Sequence, residues 1–420
     1  MNEFTLRRGK LFDELKSNSA AIIYAGASKI KSEDEFYPFS VNMNFFYLTG
    51  IKQENSIVVL IKTPGEHKTL LFIDEYNELK ERWTGKRIPF DEASAISGID
   101  GVYSTEKFTN MLDMILDSKK AMYGKIENLY IDLSDEIKIA TNYSTILFAK
   151  DLQEKYPELT IENVYKLVTA LRVVKSEYEV NQLIQAIDYT NTGINDLLLN
   201  MRVGMSEYEL SNRFDYFGKD HYRSELAFET IVATGKDATV MHHPIRQQTR
   251  NLKQGDLILF DLGYKCNGYS ADISRTYPVD GVFTDKQKAV YQAVLTCNKA
   301  VIAKIKPGIT LVELQNFALE VLKAEAVRFN LISAAEDIKK YYIHNVSHFL
   351  GLDTHDVGDR NTPLAVGSVI TVEPGLYFVD DEIGVRIEDD VLVTEEGAEV
   401  LSKNIVKEID DVERLFKSKR

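Results

Sequence analysis

Two pairs of carboxylates are spaced so that each pair can meet across a hairpin. Asp261 ends an apolar β-type run (Leu257, Ile258, Leu259, Phe260), and Asp272 lies in the run that returns after Lys265-Cys266-Asn267-Gly268. Asn-Gly between two such runs is a strong short-range hairpin signal. With the loop centred between Cys266 and Asn267, the two aspartates face each other, their Cβ atoms about 5 Å apart. Further on, Thr371-Val-Glu-Pro-Gly-Leu-Tyr-Phe-Val leads to Asp380-Asp381 and returns as Glu-Ile-Gly-Val-Arg-Ile-Glu-Asp, which sets Glu373 opposite Glu388. Arg386 shares the Glu388 face by the period-two rule, and a one-residue slip would turn a whole strand over. Either pair alone reads as solvated charge at a strand edge. Together, and with the histidines below, they read as a site. Facing carboxylates repel, and burial worsens the repulsion, so something cationic should lie between them.

Five of the seven histidines fall in two short stretches, His242-His243 and His344 to His355. In His344-Asn-Val-Ser-His348 the i, i+4 spacing puts both rings on one face if the segment is helical. Leu-Asp-Thr-His355-Asp, flanked by Gly351 and Gly358, reads as loop. A lone histidine is usually a packed or surface group. This density beside acidic pairs points to ligand or acid–base roles.

Four carboxylates and one imidazole around two divalent ions balance in charge, which explains how acidic pairs survive burial. Ligands rich in carboxylate oxygen with one imidazole suit Mn²⁺, Co²⁺ or Zn²⁺. Two such ions about 3.5–4 Å apart can bridge a water and lower its pKa towards neutrality. The remaining histidines could then bind a scissile carbonyl or shuttle protons. No rival chemistry is visible, since the chain holds no G-x-S-x-G, P-loop or H-E-x-x-H.

Elements must bring these groups together. At 420 residues the chain is too long for one ordinary core, which predicts two domains. Its 44% apolar and 27% charged residues are ordinary for a globular protein. The net charge of −14 speaks against nucleic-acid binding and suits metal cations and the positive amino end of a peptide. No apolar run approaches the ~20 residues of a membrane span, and the opening Met-Asn-Glu-Phe-Thr-Leu-Arg-Arg has no h-region of a secretory signal. Cys266 and Cys297 alone do not make a disulfide framework and fit a reducing cytoplasm.

Residues 1 to about 160 read as an α/β unit. The pattern predicts a helix over Leu11 to Leu15 and strands at Ala20–Tyr24, Ser56–Ile61 and Lys68–Ile73, the last two paired across Thr63-Pro64-Gly65. Asn77 to Trp83 reads as helix and Lys125 to Asp132 as a further strand. His67 reads as a turn residue and Trp83 as packing. In the second half, four capping boxes open helices: Ser176 with Glu179, Ser206 with Glu209, Thr284 with Gln287, and Thr310 with Glu313. Val203-Gly-Met-Ser-Glu-Tyr-Glu-Leu210 resembles Pro307-Gly-Ile-Thr-Leu-Val-Glu-Leu314 at an offset of 104, and the preceding helix starts are offset by 108. The hairpins follow at about 112. This predicts a duplicated helix–helix–hairpin unit whose hairpins meet at one interface.

At this point the residues resemble a known family. F-D-L-G-Y-K-C-N-G-Y-S-A-D-I-S-R-T-Y, H-N-V-S-H-F-L-G-L-D-T-H-D-V-G, V-E-P-G-L-Y and V-R-I-E-D-D are similar to motifs of the pita-bread metallopeptidases, and within them of the aminopeptidase P and prolidase branch. Asn44-Phe-Phe-Tyr-Leu-Thr-Gly50 and Arg82-Trp-Thr-Gly-Lys-Arg87 resemble that branch's amino-terminal domain, and Gly397-Ala-Glu-Val-Leu-Ser402 also fits. The resemblance implies an α/β (α+β) fold: an N-terminal domain over 1–165 followed by a pseudo-twofold pita-bread catalytic domain over 166–420. It implies two divalent ions, usually Mn²⁺, with Asp261 on one, His348 and Glu373 on the other, and Asp272 and Glu388 bridging. Glu373 would also be the base. His242 and His355 would contact substrate, His344 would line the pocket, and Arg386 would hold the ligand network. The family commonly has His-Tyr followed shortly by Asn, whereas here His242-His243-Pro244 leads to Arg246, so the role lies with His242 or His243; the preceding Ala-Thr-Val-Met favours His242.

The expected activity is that of a cytoplasmic Xaa-Pro aminopeptidase, acting on peptides whose second residue is proline and assembling as a homodimer or homotetramer. A prolidase restricted to Xaa-Pro dipeptides would share every ligand. A metal-free binding protein on the same scaffold would have a broken ligand set, and here all five positions are chemically competent.

Overall fold

The computed structural model describes residues 2–120, 122–133, 137–140, 143–333 and 335–417. The chain divides into two compact units, Met1–Arg172 and Val173–Arg420. No described helix is long and apolar enough to cross a membrane.

The first unit is built on a six-stranded sheet in the order Thr160–Asn163, Asn128–Ile131, Ser19–Tyr24, Ile57–Lys62, His67–Ile73, Gly101–Ser104. Ile57–Lys62 pairs antiparallel with both of its neighbours, and the remaining pairings are parallel. Continuous apolar runs such as Ala20–Ile23 suit a sheet covered on both faces. The helix Phe108–Leu116 buries Phe108, Met111, Leu112 and Ile115, a helical stripe, against Ile22, Val59 and Phe72.

Two expectations here are corrected. His67 opens a strand, paired with Lys62 and stacked on Phe12 at 4.8 Å, because the turn closes one residue earlier between Thr63 and Glu66. Trp83 does not pack within its unit. It is 88% exposed on the short helix Glu78–Thr84, whose Glu78 and Arg82 pair along the surface at 2.7 Å, and nothing turns the ring inward.

In the second unit all four capping boxes form, opening helices Glu177–Asn200, Glu207–Tyr222, Asp285–Lys304 and Leu311–Arg328. The helices pack in consecutive pairs. Each pair precedes a three-stranded antiparallel sheet: Ile231–Thr234, Leu257–Leu262 and Ile273–Pro278 in one half, Val369–Val372, Asp389–Thr394 and Gly397–Val400 in the other. The halves join strand to strand. Glu388 N donates to Ser274 O at 3.0 Å, Thr276 Oγ1 donates to Arg386 O at 3.1 Å, and Asp272 N donates to Asp390 Oδ2 at 3.1 Å.

The two hairpin registers differ in how well they were anticipated. Gly375–Phe378 pairs with Ile383–Arg386, Gly375 opposite Arg386, and the ladder resumes with Val372 opposite Asp389, so Glu373 and Glu388 do face each other. In the first hairpin Asp261 lies opposite Ser274, not Asp272. The turn is centred between Asn267 and Gly268, one residue later than expected, because those two residues take the positive φ values (47° and 91°) that a two-residue hairpin turn demands. That correction moves the partner by two positions, and two is the side-chain period. Asp272 therefore becomes a diagonal neighbour of Asp261 on the same face.

The His344–His348 segment is not helical. It bends at His344 and Val346 and runs beside Val369–Val372 from Val346 on, with Glu373 N donating to Val346 O at 2.8 Å, Thr371 N to His348 O at 2.9 Å and Leu350 N to Val369 O at 3.0 Å. Both rings nevertheless reach one cavity.

Candidate metal centre

Asp261, at the end of Leu257–Leu262, and Asp272, just before Ile273–Pro278, project from one half; Glu373 and Glu388 project from the other. His348 comes from the segment beside them. Ligand-capable atoms of Asp261, Asp272 and Glu388 lie within 4.8 Å of one another, as do those of His348, Glu373 and Glu388, and those of Asp272, His348 and His355. Glu388, Asp272 and His348 each belong to two of these groups. The cluster lines a cavity of about 540 Å³ that also takes in His242, His344, His355 and Arg386. All nine residues expected at the site thus converge on one cavity, walled on its apolar side by Phe228, Ile231 and Met241.

Hydrogen bonds fix the orientations. His348 Nδ1 lies 2.9 Å from Phe349 O and so carries the proton, while Nε2 faces Asp272 Oδ2 at 3.3 Å and Glu373 Oε1 at 3.5 Å. Arg386 Nη2 lies 2.5 Å from Asp261 Oδ2, its Nε donates to Ser274 Oγ at 2.7 Å, and Ser274 Oγ donates to Glu388 Oε2 at 2.6 Å. Arg386 Nη1 donates to the Tyr377 hydroxyl at 3.1 Å, which in turn lies 2.8 Å from His344 Nε2. The imidazoles of His355 and His348 meet edge to face at 4.3 Å.

The electrostatics report a shortage of positive charge. Burial, opposed by Arg386 and aided by Asp272, pushes Asp261 up to about 6. Burial, opposed by His348 and Arg386, pushes Glu373 up to about 7, and burial with the neighbouring Asp272 and Glu373 drives Glu388 well above the usual carboxylate range. His348 is opposed by burial yet held up at about 9 by Asp272 and Glu373. Burial and Arg386 press His344 down to about 3, and burial and His348 lower His355.

A comparison within the same strand shows what is missing. Asp389, on the opposite face from Glu388, is just as buried, but Arg275 lies 2.8 Å away and Lys407 pairs with it as well; against burial, these cations hold it at about 2. The four clustered acids face Arg386 and the His348 imidazole, and Asp261, Glu373 and Glu388 are nevertheless raised. Oxygen-rich, one-imidazole and short of cations, this donor set fits two divalent ions.

The two adjacent histidines separate. His243 is 3% exposed, its Nε2 3.3 Å from Glu207 Oε2 on the helix that follows Ser206, and this pairing outweighs burial to raise its pKa. His242 turns to the cavity that also holds Asp261, His344 and His355.

Two site residues went unassigned in the sequence. Tyr377 couples Arg386 to His344, and Ser274 couples Arg386 to Glu388. The period-two rule could have found both, since Tyr377 shares a face with Glu373 and Ser274 with Asp272.

Comparison with known proteins agrees with this geometry. Residues 181–395 match the model of metallopeptidase family M24, and residues 4–123 that of the aminopeptidase P N-terminal domain. The chain is 31% identical to the Xaa-Pro aminopeptidase of Haemophilus influenzae, over 99% of this chain and 97% of that protein. Among solved structures, a Bacillus anthracis protein provisionally assigned as an aminopeptidase P is 39% identical with a TM-score of 0.93, covering 100% of this chain and 99% of that one. Aminopeptidase P from Escherichia coli, solved with the inhibitor Pro-Leu, is 28% identical with a TM-score of 0.88, covering 100% of this chain and 98% of that one. With half of its length matching the peptidase model and the ligand cluster inside that half, the chain belongs to metallopeptidase family M24 and carries an aminopeptidase P N-terminal domain ahead of it.

Proposed function

We propose that this protein is a metal-dependent Xaa-Pro aminopeptidase, releasing the N-terminal residue from peptides with proline in second position. The observation that carries the reading is the convergence of four carboxylates and one imidazole, short of cations, in a cavity that also presents His242, His344 and His355. Relatives over the full length bear the name Xaa-Pro aminopeptidase, which favours this activity over dipeptide-only cleavage. Proline's tertiary amide lacks an N–H and its ring fixes φ, so the bond calls for a dedicated enzyme.

Asp261 would hold one ion, His348 and Glu373 the other, with Asp272 and Glu388 shared; the grouping of Asp261 with Asp272 and Glu388, and of His348 and Glu373 with Glu388, supports that division. When bound, the ion pair supplies a water acidic enough to be deprotonated near neutrality. Glu373, raised to about 7 by burial, is suited to take a proton from the attacking water and pass it to the leaving proline nitrogen. His355 and His242 donate hydrogen bonds to the carbonyl oxygen as it gains charge. Arg386 keeps Asp261 ionised and, through Ser274, orients Glu388. His344, held neutral, lines the pocket on Tyr377.

We read Mn²⁺ as the native metal on the oxygen-rich donors, with Co²⁺ or Zn²⁺ as substitutes. Two buried free thiols, Cys266 and Cys297, support a reducing, cytoplasmic setting. Exposed Tyr76, Leu79 and Trp83 support a homo-oligomer, dimer or tetramer. Domains over 1–165 and 166–420 are supported by the two compact units and by the two family models.

The test is a rate comparison with and without added Mn²⁺. Release of the first residue from an Xaa-Pro-Xaa tripeptide, dependent on the ion, is the expected result. Rapid cleavage of Xaa-Pro dipeptides with no action on tripeptides would replace this reading with a prolidase.

A further inference from the structure

His355 presents a mechanistic demand that its own loop cannot meet. It sits between Gly351 and Gly358 in backbone without helix or strand, yet its ring must keep one position against His348. We infer that Lys175, through a buried ion pair with Asp356, is a positioning residue that sets the His355 imidazole. This rests on the aminopeptidase reading above, in which His355 contacts the substrate.

Lys175 Nζ lies 3.0 Å from Asp356 Oδ2, and both side chains are 1% exposed. Burying an ion pair strips two charges of water, and the attraction between them often does no better than break even, so such pairs are weak as a source of stability. What this pair supplies is a tie: it joins the Asp356 carboxylate, one residue beyond His355, to Lys175 at the start of the Glu177–Asn200 helix.

Both ends of the pair are anchored. Lys175 N donates to Gly367 O at 2.9 Å, and Val174 bridges Ser368. The next residue, Ser176, opens the Glu177–Asn200 helix, and Glu179 of its capping box accepts the Tyr269 hydroxyl at 2.9 Å. Tyr269 belongs to the hairpin that joins Asp261 to Asp272, so Lys175 is fixed to the frame that carries two of the proposed ligands. On the loop side, Asp356 N donates to Phe349 O at 2.9 Å, one residue beyond His348.

Gly351 shows that the chain makes room for this pair. A Cβ there would lie 2.1 Å from Asp356 Oδ2 and 3.1 Å from Lys175 Cε, so a side chain at 351 is incompatible with the ion pair as it stands. On the other side of the histidine, Thr354 Oγ1 donates to Ala227 O at 3.1 Å. The residues before and after His355 are both tied down, one by a neutral hydrogen bond and one by buried charge.

The experiment uses the full-length, Mn²⁺-loaded protein and an Xaa-Pro-Xaa tripeptide that the wild type cleaves. In Lys175→Met, kcat should fall roughly 10–100-fold, the range for losing the support of a functional group. KM should stay within about threefold and bound metal should be unchanged, with Lys175→Arg recovering part of the rate. Asp356→Asn, which keeps the side-chain volume, should reproduce the loss and serves in its place if Lys175→Met does not fold. The deciding measurement is the same substitution in a His355→Ala background, where it should cost less than about twofold, because residues acting as a unit are not additive. Wild-type kcat in Lys175→Met and Asp356→Asn would overturn the inference, as would an equal fold loss with and without His355, or loss of metal. A wild type inactive on the tripeptide would overturn the aminopeptidase reading instead, so the two failures are distinguishable.

Discussion

Arg386 Nη2 lies 2.5 Å from Asp261 Oδ2, although the two residues are 125 positions apart and belong to different repeats. This contact crosses the seam between the halves of the second unit. The proposed ligands are divided by the same seam, with Asp261 and Asp272 on one side and Glu373 and Glu388 on the other.

With Asp272 bridging both ions, as proposed above, its loss should be felt by both. Asp272→Ala is expected to lower metal content to below one ion per chain and to reduce activity by more than about a thousandfold, in line with a two-ion mechanism. Elemental analysis beside the peptide assay checks both. Wild-type turnover would reject the shared-ligand role.

His355→Ala should separate chemistry from metal binding. Activity should fall about 10²–10³-fold, the usual loss when one donor to a developing oxyanion is removed. Metal content should stay at the wild-type level, because the ligand atoms of the other groups are untouched. Loss of metal in this variant would make His355 a ligand.

Tyr377→Phe removes the hydroxyl that joins Arg386 to His344 while keeping the buried ring. One hydrogen bond to a charged group is worth about 1.5–3 kcal/mol, so a loss of ten- to hundredfold in kcat/KM is expected. Unchanged kinetics would show that Arg386 is held well enough by Asp261 and Ser274.

Removing the metal should make stability depend on pH in a defined direction. Asp261 and Glu373 rise from ordinary values of 3.8 and 4.5 to about 6 and about 7 on folding, chiefly through burial. The folded chain then binds more protons than the unfolded chain between pH 4 and 7, so stability is full below that window and is lost as pH rises through it. The Tm of metal-free protein should fall by on the order of 5 °C from pH 5 to pH 8. Added Mn²⁺ should remove the decline. A Tm that rises over this range without metal would contradict the raised values.

Gly263 lies between the two aspartates of the first hairpin, and a Cβ there would stand 1.9 Å from Ala271 O, a backbone atom that cannot swing away. Gly263→Ala should therefore lower stability by about 1–3 kcal/mol, measured by urea unfolding, and weaken metal binding with it. A silent substitution would mean that the hairpin is more compliant than its contacts indicate.

Much of the centre was legible in the chain alone. Residue type and hairpin spacing picked out all four carboxylates and Arg386, and the capping boxes marked every long helix of the second unit, because these signals depend on neighbours within a few residues; the ligand role of His348 came from the family resemblance. The face of Asp272 survived a misplaced turn, since the error equalled one side-chain period. Other features had no local signature. His344 and His348 reach one cavity because their segment is tied to Thr371 and Glu373 by backbone hydrogen bonds, although their spacing suits a helix. The resemblance favoured His242 over His243, but that His243 pairs with Glu207, 36 residues back in the chain, had no local signature. Lys175 looked like the residue before a helix cap until folding buried it against Asp356. The sequence by itself determined which side chains could do the chemistry and on which face of each strand they lie, because those properties follow from side-chain chemistry and backbone period. Only the tertiary structure decided which of them share a low-dielectric cavity and which acids find a protein cation, because burial and long-range pairing arise when distant segments pack together.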